Sequence, residues 1–102
     1  MLDENVLADT TLLVSELVSN AVKYGQGEIR LRVRTRGPRR VLAEVTDEGS
    51  GFVPSVRSRS RFESGGFGLQ LVDRLATSWG VHHGETYVWF VIDRSSELAS
   101  VA

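Results

Sequence analysis

Leu13-Val14-Ser15-Glu16-Leu17-Val18-Ser19-Asn20-Ala21-Val22-Lys23-Tyr24 is the stretch on which the reading of the whole chain turns. Its apolar residues recur at helical spacing, and the pattern runs back to Val6, so a helix is predicted over about 6–24. Asp9, Thr10 and Thr11 offer an N-cap, and Gly25 offers a left-handed stop. At about 100° per residue, with Leu13 at zero, Leu17, Ala21, Val14, Val18 and Val22 fall between about 40° and 180°. Glu16, Asn20 and Lys23 fall at about 300°, 340° and 280°. The helix thus turns one flank to a core and holds a carboxylate, an amide and an ammonium together on another. Taken alone, such a triplet also fits a solvated helix face.

Downstream, Glu28 to Arg36 alternates Ile29, Leu31 and Val33 with arginines, which predicts a half-buried strand with one wet face. Gly37-Pro38 marks a turn, and Val41, Ala43 and Val45 begin a second strand that pairs with the first as an antiparallel hairpin. Periodicity stops between Asp47 and Gly68, a Gly-, Ser- and Arg-rich stretch read as a long loop, of a length that in small domains is usually functional or disordered. A short helix follows from Leu69 to about Ser78. Trp79 to His82 and Thr86 to Ile92 then form a second hairpin. Helices over one face of antiparallel pairs make an α/β two-layer sandwich. One domain over residues 1–94 is expected, with a flexible tail over 95–102.

Composition narrows the function classes. The chain has 102 residues and a formal net charge of −1, which excludes a globally basic nucleic-acid binder. No stretch approaches the roughly 18 consecutive apolar residues of a membrane span, and no signal peptide is visible. With no cysteine there is no disulfide, no thiolate metal site and no sulfur redox chemistry. A cytoplasmic location is the expectation.

Two further features carry chemistry. In Asp47-Glu48-Gly49-Ser50-Gly51 a carboxylate stands at a strand end, where it can accept a hydrogen bond from an exocyclic amine. Glycines two apart let the backbone pass close to a flat ring or a phosphate. Ser64-Gly65-Gly66-Phe67-Gly68-Leu69 is a glycine-rich entry into a helix, whose free amides and dipole suit an anion. Either could also be a plain turn or hinge.

In this order and spacing, the three stretches resemble the GHKL (histidine-kinase-like) ATPase superfamily. Leu13 to Tyr24 is similar to its N-box, Asp47-x-Gly49-x-Gly51 to the first glycine box, and Gly66-Phe67-Gly68-Leu69 to the second. Together with Trp79-Gly80-Val81 and Tyr87 to Phe90, the resemblance is closest to bacterial anti-sigma-factor serine/threonine kinases and covers about residues 9–92. It implies a Bergerat-type ATP-binding fold, ATP and Mg²⁺ as cofactors, Asn20 as the metal ligand and Glu16 as the base near an acceptor hydroxyl. It also implies Lys23 beside phosphate, Asp47 on the adenine amine, Gly49 and Gly51 beside the base, and Gly66, Gly68 and Leu69 at the phosphate-side turn. Val53 to Gly65 match the ATP lid, with Arg57, Arg59 and Arg61 in it.

The implied activity is phosphoryl transfer to an anti-anti-sigma-like protein, in a system that controls a sigma factor and hence transcription, with no direct nucleic acid and no membrane. The alternative is a non-catalytic ATP/ADP-sensing module that sequesters a partner. Relatives carry a first strand and helix ahead of the N-box. Only a few residues precede it here, so an exposed sheet edge is expected, and homodimer formation stays open.

The remaining motifs read plainly. His82 and His83 point to opposite sides of a strand and are not expected to bind metal. Trp79, Trp89 and Phe90 are expected to pack in the core or on the sheet face. Arg30, Arg32, Arg34, Arg36, Arg39 and Arg40 form a local basic patch on the first hairpin. It is a solvated sheet face, a dock for an acidic protein or, less readily, for nucleic acid.

Overall fold

The computed structural model describes residues 1–49, 67–82 and 87–96. Helix α1 spans Glu4–Tyr24, longer than its apolar pattern alone predicts. The carboxylate of Asp3 sets its start, with Oδ1 accepting from the amides of Asn5 at 3.0 Å and Val6 at 3.2 Å. The expected cap at Asp9 to Thr11 therefore lies inside the helix, where Thr10 is buried and Asp9 pairs with Arg94 at 2.6 Å. The helix ends where the Gly25 amide donates to the Ala21 carbonyl at 2.8 Å. Gly25 is extended, with φ −81° and ψ −178°, and not left-handed as expected. Glycine is needed there for space: a Cβ would stand 2.5 Å from the Ala21 carbonyl oxygen and 2.8 Å from the Asp47 carboxylate.

Strands β1 (Arg30–Thr35) and β2 (Arg40–Thr46) form the first hairpin, turned at Gly37 with φ +70°. Helix α2 spans Phe67–Leu75, starting two residues before and ending three before its expected limits. Strands β3 (Ser78–His82) and β4 (Tyr87–Asp93) complete one antiparallel sheet in the order β1-β2-β4-β3. The α/β two-layer sandwich is as expected.

The core lies between the central strands and the helices. Val41, Ala43 and Val45 of β2 and Val88, Phe90 and Ile92 of β4 meet Val6, Leu13, Leu17 and Ala21 of α1 and Leu69 and Val72 of α2. Alternation in the strands and a 3–4 residue rhythm in α1 aim these groups at one another. Val22 departs from the expected apolar arc, with two thirds of its surface exposed.

Strand β1 departs further. It was expected to be half-buried, yet every residue in it is exposed, including Leu31 at 47% and Val33 at 44%. Alternation separates its two faces, but α1 lies mainly over β2 and β4, so among the described residues the inner face of β1 stays largely open.

Asp3 and Arg94 are both tied to the tip of the first hairpin. The Asp3 amide donates to the Pro38 carbonyl at 2.8 Å, and Asp3 Oδ2 pairs with Arg39 Nη1 at 3.0 Å. Arg39 Nε in turn donates to the Arg94 carbonyl at 3.0 Å. Ser95, where the tail was expected to fray, donates from its amide and hydroxyl to Asp93; residues beyond 96 lie outside the described residues.

On the outer sheet face Trp89 lies across Gly80, where a Cβ would meet its Nε1 at 2.7 Å. Trp79 Nε1 donates to Asp73 at 3.0 Å, Phe90 is in the core, and His82 stacks edge-on against Tyr87. His83 lies outside the described residues.

Candidate functional site

Arg94 orients α1. Its guanidinium pairs with Asp9 and also donates to the Leu75 carbonyl at the end of α2 at 3.4 Å. The flank of α1 that carries Asp9 therefore faces α2. On the helical ruler Asp9 falls at about 320°, within the sector of Glu16, Asn20 and Lys23. Those three share the flank, with Glu16 and Asn20 half-buried and Lys23 exposed in the last turn.

The amide nitrogen of Asn20 is buried and has no hydrogen-bond partner among the described residues. Thr10 Oγ1 is the other such atom, and it sits within the core-facing stripe of α1. Buried amides in folded proteins are nearly always satisfied, and an orphan costs about 1–3 kcal/mol. It lies on the flank it shares with Glu16, buried and without a partner among the described residues. An asparagine offers both an amide donor and a carbonyl acceptor, and its amide plane can be turned to present either.

Asp47 follows β2 and is fixed by the loop after α1. Its Oδ1 accepts from the amide of Gly49 at 2.7 Å and that of Gln26 at 3.3 Å, while its carboxylate packs on Gly25. Glu48 completes the seam: its amide donates to the Gln26 carbonyl at 2.8 Å, and its carboxylate accepts from the Glu28 amide. Gly27 permits this approach with φ +67°, where any side chain would collide with Glu48.

Asn20 and Asp47 thus stand at the same end of α1, since Gly25 lies five residues past Asn20, about 7.5 Å along the axis. A cavity at Asp47 is bounded by Glu28, Arg30, Thr46 and Glu48 and does not extend to Asn20.

The other predicted positions divide. Gly49 stays with Asp47 as its hydrogen-bond donor. Gly68 is in the first turn of α2. Leu69 is buried in the core, so it offers a ligand only backbone groups. Gly51, Gly66 and the lid with Arg57, Arg59 and Arg61 lie outside the described residues. No group of three or more His, Cys, Asp or Glu fit to hold a metal occurs among the described residues, and no helix there is long and apolar enough to cross a membrane. Sequence reasoning missed Gly25 and Gln26 as supports of Asp47 and Arg94 as the link between α1 and α2. The Gly25-Gln26-Gly27 spacing was the only available signal for the first.

The family model of histidine kinase-, DNA gyrase B-, and HSP90-like ATPases matches residues 6–98. The chain belongs to that family and is an ATP-binding domain of the GHKL type. No curated protein and no solved structure matches it.

Proposed function

We propose that the chain is an ATP-binding serine/threonine kinase of the anti-sigma type, acting on a small anti-anti-sigma-like protein. The buried amide nitrogen of Asn20, without a partner among the described residues and on the same helix flank as Glu16, is the observation that carries this reading. Lying at the same end of α1, Asp47 has its carboxylate already oriented by two backbone amides, which suits recognition of the adenine amine.

The donor set fits Mg²⁺. This ion keeps several waters and is usually held by one or two protein oxygens together with substrate phosphates. Asn20 would give it a neutral oxygen, and Lys23 would stand near phosphate as a point charge. When bound there, Mg²⁺ would supply positive charge to offset that of the phosphate groups. Glu16 accepts the proton of the acceptor hydroxyl at a carboxylate oxygen. The hydroxyl oxygen bonds to the γ-phosphorus as the β,γ-bridging bond breaks, and ADP leaves. The protein contributes mainly position and charge.

Calorimetry with ATP and Mg²⁺ tests the binding half of this reading. Wild type should bind, and Asn20→Ala and Asp47→Ala should each weaken binding at least tenfold; unchanged affinity in Asp47→Ala would remove the adenine assignment. Incubation with labelled ATP and a candidate acceptor separates a kinase from an ATP/ADP sensor. Transfer by Glu16→Ala as fast as by wild type would exclude Glu16 as the base.

A further inference from the structure

Strands β1 and β2 pair in a register that sets Arg30 opposite Thr46, and the same register carried onward would set Glu28 opposite Glu48. The Arg36 amide donates to the Arg40 carbonyl, so alternate positions from Arg36 back through Arg30 are the ones that exchange backbone hydrogen bonds. One step beyond Arg30, the ladder would give the Glu28 amide to the Glu48 carbonyl and the Glu48 amide to the Glu28 carbonyl.

The chain does otherwise. The Glu28 amide donates to the Glu48 carboxylate, and the Glu48 amide donates to the Gln26 carbonyl at 2.8 Å, two residues past its ladder partner. Gly27, at φ +67°, makes the step that brings the Gln26 carbonyl within reach. The side chain of Glu48 thus takes the place of its own backbone carbonyl, and the main chain is released from the ladder at this residue.

That release builds the setting of Asp47. The Gly49 amide comes back to Asp47 Oδ1 at 2.7 Å, and the loop held through Gln26 brings the Gln26 amide to the same oxygen at 3.3 Å. Each of these donors adjoins a bond that Glu48 makes: Gly49 follows it in the chain, and Gln26 accepts from it. Glu48 has little part in the core, being exposed, and Arg30 at the same cavity pairs with Glu28. An exposed hydrogen bond adds little to global stability, so the effect of this one is local, on the direction of a carboxylate one residue away.

We infer that Glu48 is a positioning residue for base recognition: its carboxylate holds the loop at Gln26 to Glu28 against the end of β2, so that the Gln26 and Gly49 amides aim Asp47 at an exocyclic amine on a purine. The inference rests on the adenine assignment of Asp47 and adds the residue that sharpens selectivity for an amino-bearing base. Without that carboxylate the Glu28 amide turns to water and the loop loosens. Preference for the amine then falls, while contacts made to phosphate do not change.

Calorimetry with Mg²⁺ on the whole chain, comparing ATP with purine riboside triphosphate (ATP without its exocyclic amine), tests this. Wild type should prefer ATP by about tenfold, the worth of one hydrogen bond to a charged group, and Asp47→Ala should abolish the preference. Glu48→Ala should lose about fivefold in affinity for ATP and none for the analogue. Glu48→Gln, whose amide oxygen still accepts from the Glu28 amide, should restore most of the preference. Equal losses for both nucleotides in Glu48→Ala would make the role generally structural and overturn the inference. So would a preference kept in Glu48→Ala but lost in Asp47→Ala, a result that leaves the adenine assignment standing. A wild type that does not discriminate, or a preference that survives Asp47→Ala, would remove the adenine assignment itself and this inference with it.

Discussion

The carboxylate of Asp47 and the backbone of Gly25 are in direct contact, with only 2.8 Å between that carboxylate and the place a Cβ on Gly25 would take. Because the Gly25 amide also closes the last turn of α1 on Ala21, the end of the N-box helix and the first glycine box form one seam. The orientation of the carboxylate thus depends on how the helix ends.

Gly25→Ala tests this seam. The added methyl meets backbone at 2.5 Å, which side-chain motion cannot relieve. We expect a loss of about 1–3 kcal/mol in chemical denaturation, in the range of overpacked sites. Weaker ATP binding should accompany it, because Asp47 must shift. A variant with wild-type stability and affinity would show that the seam yields freely.

Asn20→Leu separates stability from binding. The buried amide nitrogen has no partner among the described residues, so removing it relieves a desolvation cost, and without nucleotide the variant should be as stable as wild type or up to about 1 kcal/mol more stable. ATP should no longer raise its melting temperature. Destabilisation by more than about 1 kcal/mol would mean that the amide has a structural partner.

Phe90 is fully buried on β4, paired with Ala43 on one side and Trp79 on the other. Phe90→Ala should cost about 3–5 kcal/mol, a large share of the stability of a domain of this size. Leu31→Ala, on the uncovered strand, should cost far less. Comparable losses from urea titration would mean that β1 is buried in solution.

Asp93 provides a pH prediction. Hydrogen bonds from the Ser95 hydroxyl and amide, with the Arg40 guanidinium adding to them, hold its carboxyl below the ordinary value. The folded value lies below the unfolded one, so the contribution to stability is present above about pH 4 and fades as pH falls through the folded value. Ser95→Ala should move the Asp93 carboxyl titration upward in carbon-detected NMR. An unmoved titration would assign the depression to another group.

Much of this was legible in the chain. Leu13, Leu17 and Ala21 are buried because a helical period leaves them on one side, and a period can be read without coordinates. The two hairpins and the layer arrangement followed from alternation and turn residues. The start of α1 was missed because three plausible capping residues sit within it, whereas Asp3, which caps it through the amides of Asn5 and Val6, is itself held by Pro38 and Arg39 far along the chain. The exposure of β1 was missed because alternation tells two faces apart without telling whether anything lies over either. In the site, the shared flank of Glu16, Asn20 and Lys23 follows from their spacing. The grip of Gln26 and Gly49 on Asp47 does not, since it depends on two loops meeting in space.

Asp3 and Arg39 also join parts of the chain that are remote in sequence. One carboxylate caps α1 and holds Arg39, and Arg39 holds the backbone at Arg94. Loosening at residue 3 is therefore felt at residue 94: if Asp3 lets go, the guanidinium that clasps the Arg94 carbonyl loses one of the contacts that hold it. Amide exchange near residues 3 and 94 should then rise and fall together.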